Sequence, residues 1–126
     1  MSDMQTPLKR ARGLGAAKTG TEHFLQQRLT AILNIPLILF LVCFILWHLG
    51  ASRAEVIASL SKPFVTVLLL LTLASVFWHM RIGMQVIIED YVRQPGPKIA
   101  ALVLNLAFAA LMFIIAATSV LKMSFA

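Results

Sequence analysis

Charged residues are scarce in this sequence, cysteine and tyrosine each occur once, and each scarcity excludes something. Only 13% of the 126 residues are charged, against 60% apolar residues and a mean hydropathy of +0.87. A water-soluble domain of this size needs far more polar residues to cover its surface, so the composition points to a bilayer protein. With one thiol, Cys43, no internal disulfide can close, and no Cys or His stands at ligand spacing to complete a zinc or iron–sulfur site. Cys43 reads as ordinary packing. Repeats and low-complexity segments are lacking too. The non-membrane residues amount to a tail of about twenty and two short loops, which leaves no room for an independent soluble catalytic domain. Any catalysis needs partner chains or a cofactor.

What is present is apolar length. The stretches 29–50, 63–88 and 99–121 each exceed the ~18–20 residues that cross ~30 Å of hydrocarbon as a helix. The expected fold is an all-α membrane protein, three transmembrane helices in an up-down-up bundle, with residues 1–20 as a tail and 21–126 as the anchor. Eleven Lys and Arg against five Asp and Glu give a net charge of +6. Nucleic-acid binding is a poor account of it, because the cations flank apolar segments and no aromatic residue is interleaved with a basic stripe. Lys9, Arg10, Arg12, Lys18 and Arg28 all precede the first span, and the positive-inside rule explains them better. Residues 1–20 sum to +3 (four basic, Asp3 acidic), which places the tail in the cytoplasm, the 51–62 loop outside and the 89–98 loop inside. The basic start lacks the small-residue cleavage pattern of a signal peptide, so the first span is expected to stay in the mature protein.

Local signals fill in the spans. Thr21 is the expected N-cap of a helix that begins at Glu22 and ends near Gly50, with Pro36 bending rather than breaking it. Trp47 and His48 fall at its far end, where amphipathic rings anchor at the interface. The segment ASRAEVIASLSKP reads as one short surface turn, and Pro63 suits the start of the second span. The third span follows the breaker QPGPK and has only Asn105, Thr118 and Ser119 as polar side chains, which suits a packing helix.

The second span holds the chemistry. Thr72, Ser75, His79, Gly83, Val86 and Asp90 recur at steps of three and four and fall on one helical stripe. Small and polar residues belong where helices meet or surround a cavity, and an ionisable residue at membrane depth is costly enough to be functional by default. His79 stands about 15 Å before Glu89 along the axis, near the midplane. Three roles suit it: a helix–helix hydrogen bond, a proton relay, or an axial haem ligand. Gly83, one turn on, makes room for a flat macrocycle or for a neighbouring helix. Arg81 points to the opposite side, with Gln85 and Glu89 one and two turns further. It reads as a snorkelling cation held by that ladder, or as a group steering an anionic cofactor group or a quinone carbonyl. At the cytoplasmic edge Asp90 and Tyr91 set a carboxylate beside a phenol, able to relay protons to a carbonyl being reduced, or simply marking a helix end.

The string HMRIGMQVIIEDY, His79 to Tyr91, resembles the H-x3-G-x6-D-Y signature of the hydrophobic membrane-anchor subunit of succinate dehydrogenase (respiratory complex II). TEHFLQQRLTAI, Thr21 to Ile32, resembles the start of that family's first helix. Charge, length and three-span pattern agree over nearly the whole chain. The motifs of the other anchor, the cytochrome b subunit, are missing. The resemblance implies that His79 ligates the iron of a haem b shared with the cytochrome b anchor subunit, and that His23 and Arg28 lie near the haem propionates. It implies that Tyr91 hydrogen-bonds ubiquinone with Asp90 beside it. It further implies a chain that anchors a flavoprotein and an iron–sulfur subunit in a bacterial inner membrane. It assigns nothing to Arg81. Two other classes remain open: the anchor of a related haem-bearing quinone oxidoreductase such as fumarate reductase, and a non-enzymatic packing or assembly subunit in which His79 only bonds another helix.

The +3 tail generates a topology test. Reporter fusions should report Asp3 and Gln94 as cytoplasmic and Ser59 as external, and a cytoplasmic Ser59 would overturn the orientation.

Overall fold

The structure, a computed structural model, describes residues 6–12 and 20–126. Its helices in chain order are α1 (Pro7–Arg12), α2 (Gly20–Trp47), α3 (Arg53–Leu60), α4 (Pro63–Tyr91) and α5 (Pro95–Ser124). Asp3 and Lys18, which contribute to the tail charge, lie outside the described residues. Three helices are long and apolar enough to cross a membrane: Thr21–Trp47, Pro63–Tyr91 and Pro95–Ser124. At 27, 29 and 30 residues they run about 40–45 Å, well beyond ~30 Å of hydrocarbon. Hydropathy marks only the apolar part, while the backbone goes on hydrogen-bonding to itself through polar ends, so α2 starts before its apolar stretch and α4 and α5 outrun theirs, though α2 stops at Trp47, short of Gly50.

Several local expectations change. Gly20 is already helical, so Thr21 lies inside α2 rather than capping it. The segment expected to be one surface turn is the eight-residue helix α3, which is closed at its start by a capping box. There the Ser52 hydroxyl accepts from the Glu55 amide (3.4 Å), while the Glu55 carboxylate accepts from the Ser52 amide (2.7 Å) and hydroxyl (2.8 Å). Those backbone and side-chain bonds from Ser52 hold the Glu55 carboxyl below the usual carboxylate range. As expected, α2 continues through Pro36 and Pro63 opens α4, whereas the QPGPK segment read as a breaker is helical from Pro95, because a proline in the first turn has no amide bond to lose.

The three spans form a row. The middle helix, α4, packs against α2 on one side and α5 on the other, and α2 and α5 do not meet among the described residues. Accordingly α4 supplies most of the interior: Thr66, Leu69, Thr72, Ser75 and Ile82 are buried. Leu37 of α2 and Ala109 of α5 face it. Three of the five buried α4 residues are small and hydroxylated, which lets backbones approach where lipid supplies no hydrophobic drive. The Thr72 hydroxyl is satisfied by its own helix, donating to the Leu68 carbonyl at 2.7 Å. Between α4 and α5, Phe77 meets Phe113 edge-on at 6.5 Å, and Asn105 donates to the Arg81 carbonyl at 2.9 Å.

Both ends of the row are tied. Gly50 takes a left-handed conformation (φ 80°) that turns the chain out of α2 toward α3. His48 latches that turn. Its Nδ1 lies 2.8 Å from the Phe44 carbonyl, which can only accept, so Nδ1 donates and Nε2 accepts the Ser59 hydroxyl at 2.8 Å. The anchoring histidine is thus bonded within the chain. The carbonyl of Leu60, at the end of α3, receives hydroxyls from Thr66 of α4 (2.5 Å) and Ser124 of α5 (2.6 Å), joining three helices at a group that would otherwise be orphaned. At the opposite end Lys98 donates to the Glu89 carbonyl at 2.8 Å, closing the α4–α5 turn.

The Leu60 junction is testable. Thr66→Val keeps the shape and removes a donor, and should lower the stability of the detergent-purified protein by about 1 kcal/mol in chemical unfolding, with Thr66→Ser near wild type.

Candidate functional site

The site is built on the α2–α4 seam. His79 stands two residues past Phe77, the middle of α4, so helix length as well as spacing sets it near the bilayer midplane. The imidazole is half-buried, and its Nδ1 lies 2.9 Å from the hydroxyl of Thr30 on α2. Among the described residues Nε2 has no hydrogen-bond partner. Because α2 and α4 run antiparallel, the Thr30–His79 pair sets Asn34 level with Ser75, and Gln27 near Gly83. A Cβ added at Gly83 would lie 3.4 Å from Gln27 Nε2, ordinary contact with the end of a flexible side chain, so Gln27 packs beside Gly83. Three buried polar atoms flank the pair without partners: Gln27 Oε1, Asn34 Oδ1 and Ser75 Oγ.

The predicted α4 stripe is buried or half-buried from Thr72 to Gly83 and then opens, with Val86 and Asp90 exposed. The seam therefore ends one turn past His79. Tyr91, the last residue of α4, is 81% exposed, and Asp90 is exposed beside it. Neither side chain is hydrogen-bonded among the described residues, and the two stand about 17–18 Å along the axis from His79. On α2, His23 lies two turns before Thr30 on the same face and is half-buried. Arg28 is exposed on another face, with its guanidinium 4.7 Å from the centre of the Phe24 ring. The structure thus joins His79 to α2 and leaves Arg28, Asp90 and Tyr91 on open surface.

Arg81 is not held by the Gln85–Glu89 ladder. Gln85 donates to Glu89 at 2.8 Å, while the Arg81 guanidinium lies over the Trp78 ring at 5.0 Å. It borders an apolar groove of about 300 Å³ between α4 and α5, lined by Ala74, Phe77 and Phe113 among others.

Thr30 is the neighbour of His79 that sequence reading passed over. A signal for it existed: Gln27, Thr30 and Asn34 recur at steps of three and four, a polar stripe on an otherwise apolar helix. Among the described residues no three His, Cys, Asp or Glu gather to hold a metal, so an iron ligated by His79 needs its other ligands from elsewhere. The donor chemistry suits a haem iron: an imidazole engaged at one nitrogen and open at the other is how a histidine is presented to a metal.

A multi-pass helical membrane protein, with a half-buried histidine at the middle of one span, is the class that this geometry defines. Residues 2–116 match the family described as succinate dehydrogenase/fumarate reductase transmembrane subunit, and the chain belongs to that family. A succinate dehydrogenase hydrophobic membrane anchor subunit from Rickettsia bellii (strain RML369-C) is 34% identical over 90 residues, 71% of this chain and 72% of the relative. The succinate dehydrogenase membrane anchor subunit of Reclinomonas americana is 36% identical, covering 69% and 75%. A hydrophobic membrane anchor subunit from Paracoccus denitrificans is 28% identical over 103 residues, covering 82% and 79%. No solved structure matches the chain significantly.

Proposed function

We propose that this chain is the hydrophobic membrane anchor of a succinate:ubiquinone oxidoreductase, itself non-catalytic, docked with a cytochrome b anchor subunit and holding an iron–sulfur and a flavoprotein subunit at the membrane. The observation that carries this is the His79 imidazole, bonded at Nδ1 and open at Nε2, at the middle of a span in a chain of this family. As a mere packing residue His79 would leave Nε2 idle at membrane depth, where an unpaired polar atom is costly. The names of the relatives favour succinate dehydrogenase over fumarate reductase. The bacterial inner membrane, with the N-terminus in the cytoplasm, agrees with the +3 tail and with Rickettsia and Paracoccus as sources of relatives.

In this reading His79 would hold the iron of a haem b shared with the cytochrome b anchor, and the haem, when bound, would supply a one-electron store. Arg28 and His23, toward the cytoplasmic end of α2, stand near its propionates, where an exposed guanidinium suits a carboxylate. Tyr91 donates its hydroxyl to a carbonyl of ubiquinone, with Asp90 beside it to tune or relay the proton. Exposure suits both residues, since the substrate arrives from lipid and the iron–sulfur partner from the cytoplasm. The chain's work is positional: it holds the quinone head group near its electron donor.

Two substitutions test this in the assembled complex. His79→Leu should abolish or shift the b-type optical spectrum, and an unchanged bis-imidazole spectrum would sink the ligand assignment. Tyr91→Phe should preserve assembly and slow ubiquinone reduction. A hydrogen bond that strengthens as charge develops on the quinone oxygen is worth ~2–4 kcal/mol, or roughly thirtyfold to several-hundredfold in rate. Succinate oxidation by an artificial acceptor should be spared. A normal quinone rate with unaltered affinity would make the phenol an interfacial anchor only.

A further inference from the structure

The seam raises a question that the ligand assignment leaves open: what decides which imidazole nitrogen of His79 carries the proton. We propose that Thr30 is the positioning residue of His79, its hydroxyl oxygen accepting the Nδ1 proton and so presenting Nε2 with a free lone pair. The inference rests on the haem-ligand reading of His79 given above and deepens it.

Counting protons carries it. The Thr30 oxygen lies 2.8 Å from the Gln26 carbonyl, 3.1 Å from the Gln27 carbonyl and 2.9 Å from His79 Nδ1. A hydroxyl has one hydrogen, and both carbonyls can only accept. A threonine within a helix gives that hydrogen to the carbonyls three and four residues back, here both within reach. The side of the oxygen that faces His79 is then a lone pair, so the bond requires a hydrogen on Nδ1. A neutral imidazole has one N–H, which leaves Nε2 bare. This is the tautomer a metal takes up through Nε2 without first displacing a proton.

No other described group competes for Nδ1. Gln27 Oε1, Asn34 Oδ1 and Ser75 Oγ are buried on the same seam, yet none bonds to the imidazole. One turn away the Gln27 side chain lies beside Gly83, a second contact of the same two helices next to the Thr30–His79 pair. An acceptor on Nδ1–H makes the ring more electron-rich, which favours the oxidised iron.

The experiment uses the assembled complex and three variants. Thr30→Val keeps the side-chain shape and removes the acceptor. It should raise the haem midpoint potential, alter the low-spin g-values in electron paramagnetic resonance, and loosen haem retention by roughly tenfold to a hundredfold. Thr30→Ser restores the hydroxyl and should return all three toward wild type. Where Thr30→Val does not assemble, Thr30→Ala is read by the same measurements. If His79→Leu removes the b-type spectrum while the hydroxyl-free variants keep the wild-type potential, g-values and retention, the Thr30 assignment is wrong and the ligand assignment stands. A Thr30→Ser complex that behaves like Thr30→Val also overturns it, because the hydroxyl would not be the cause. A bis-imidazole spectrum that survives His79→Leu removes both.

Discussion

Lipid offers no hydrogen-bond partners, and nearly every polar contact in this chain follows from that constraint. Thr72, Thr118 and Ser119 return their hydroxyls to their own helices. Asn105 reaches across to a backbone carbonyl of α4, and Thr66 and Ser124 converge on Leu60. Against this background of satisfied groups, the α2–α4 seam departs from the rule. It gathers a histidine open at one nitrogen and three buried polar atoms without partners. Buried polar atoms left unpaired on this seam, among described residues that elsewhere satisfy theirs, make it the candidate for a role other than packing.

Much of this was legible in the sequence, for reasons that differ by element. The spans were legible because the bilayer demands long apolar runs, and their true ends were not, because a helix carries on through polar residues that no hydropathy window counts. The missed start of α2 is of this kind: Thr21 has the chemistry of a cap, yet the backbone is helical from Gly20. The third helix was hidden by its shortness, although Ser52 and Glu55 stand at the capping-box spacing that announces it. His79 stood out by being ionisable at mid-span. Thr30 did not, because a lone threonine in an apolar helix is usually satisfied locally, and only the course of the neighbouring helix reveals its second partner.

The stripe on α4 shows where periodicity stops being informative. Steps of three and four say that six residues share a face, but not where the neighbouring helix leaves that face. Burial ends after Gly83, so Asp90 and Tyr91 belong to a different surface from His79 while sharing its helix. Arg81 makes the complementary point. Its spacing to Gln85 and Glu89 promised an ion ladder, and the guanidinium instead lies on an aromatic ring, a contact that a side chain leaning back toward Trp78 makes more readily than one reaching forward.

The row arrangement has a consequence for how the molecule tolerates change. With no contact between α2 and α5 among the described residues, the two seams share only the rigid body of α4. Repacking on the α5 side, around Phe77, Phe113 and Asn105, reaches Thr30 and His79 only through α4. Substitutions in α2 and in α5 should therefore combine additively, since those two helices share no contact among the described residues. The chain is two interfaces mounted back to back on one helix.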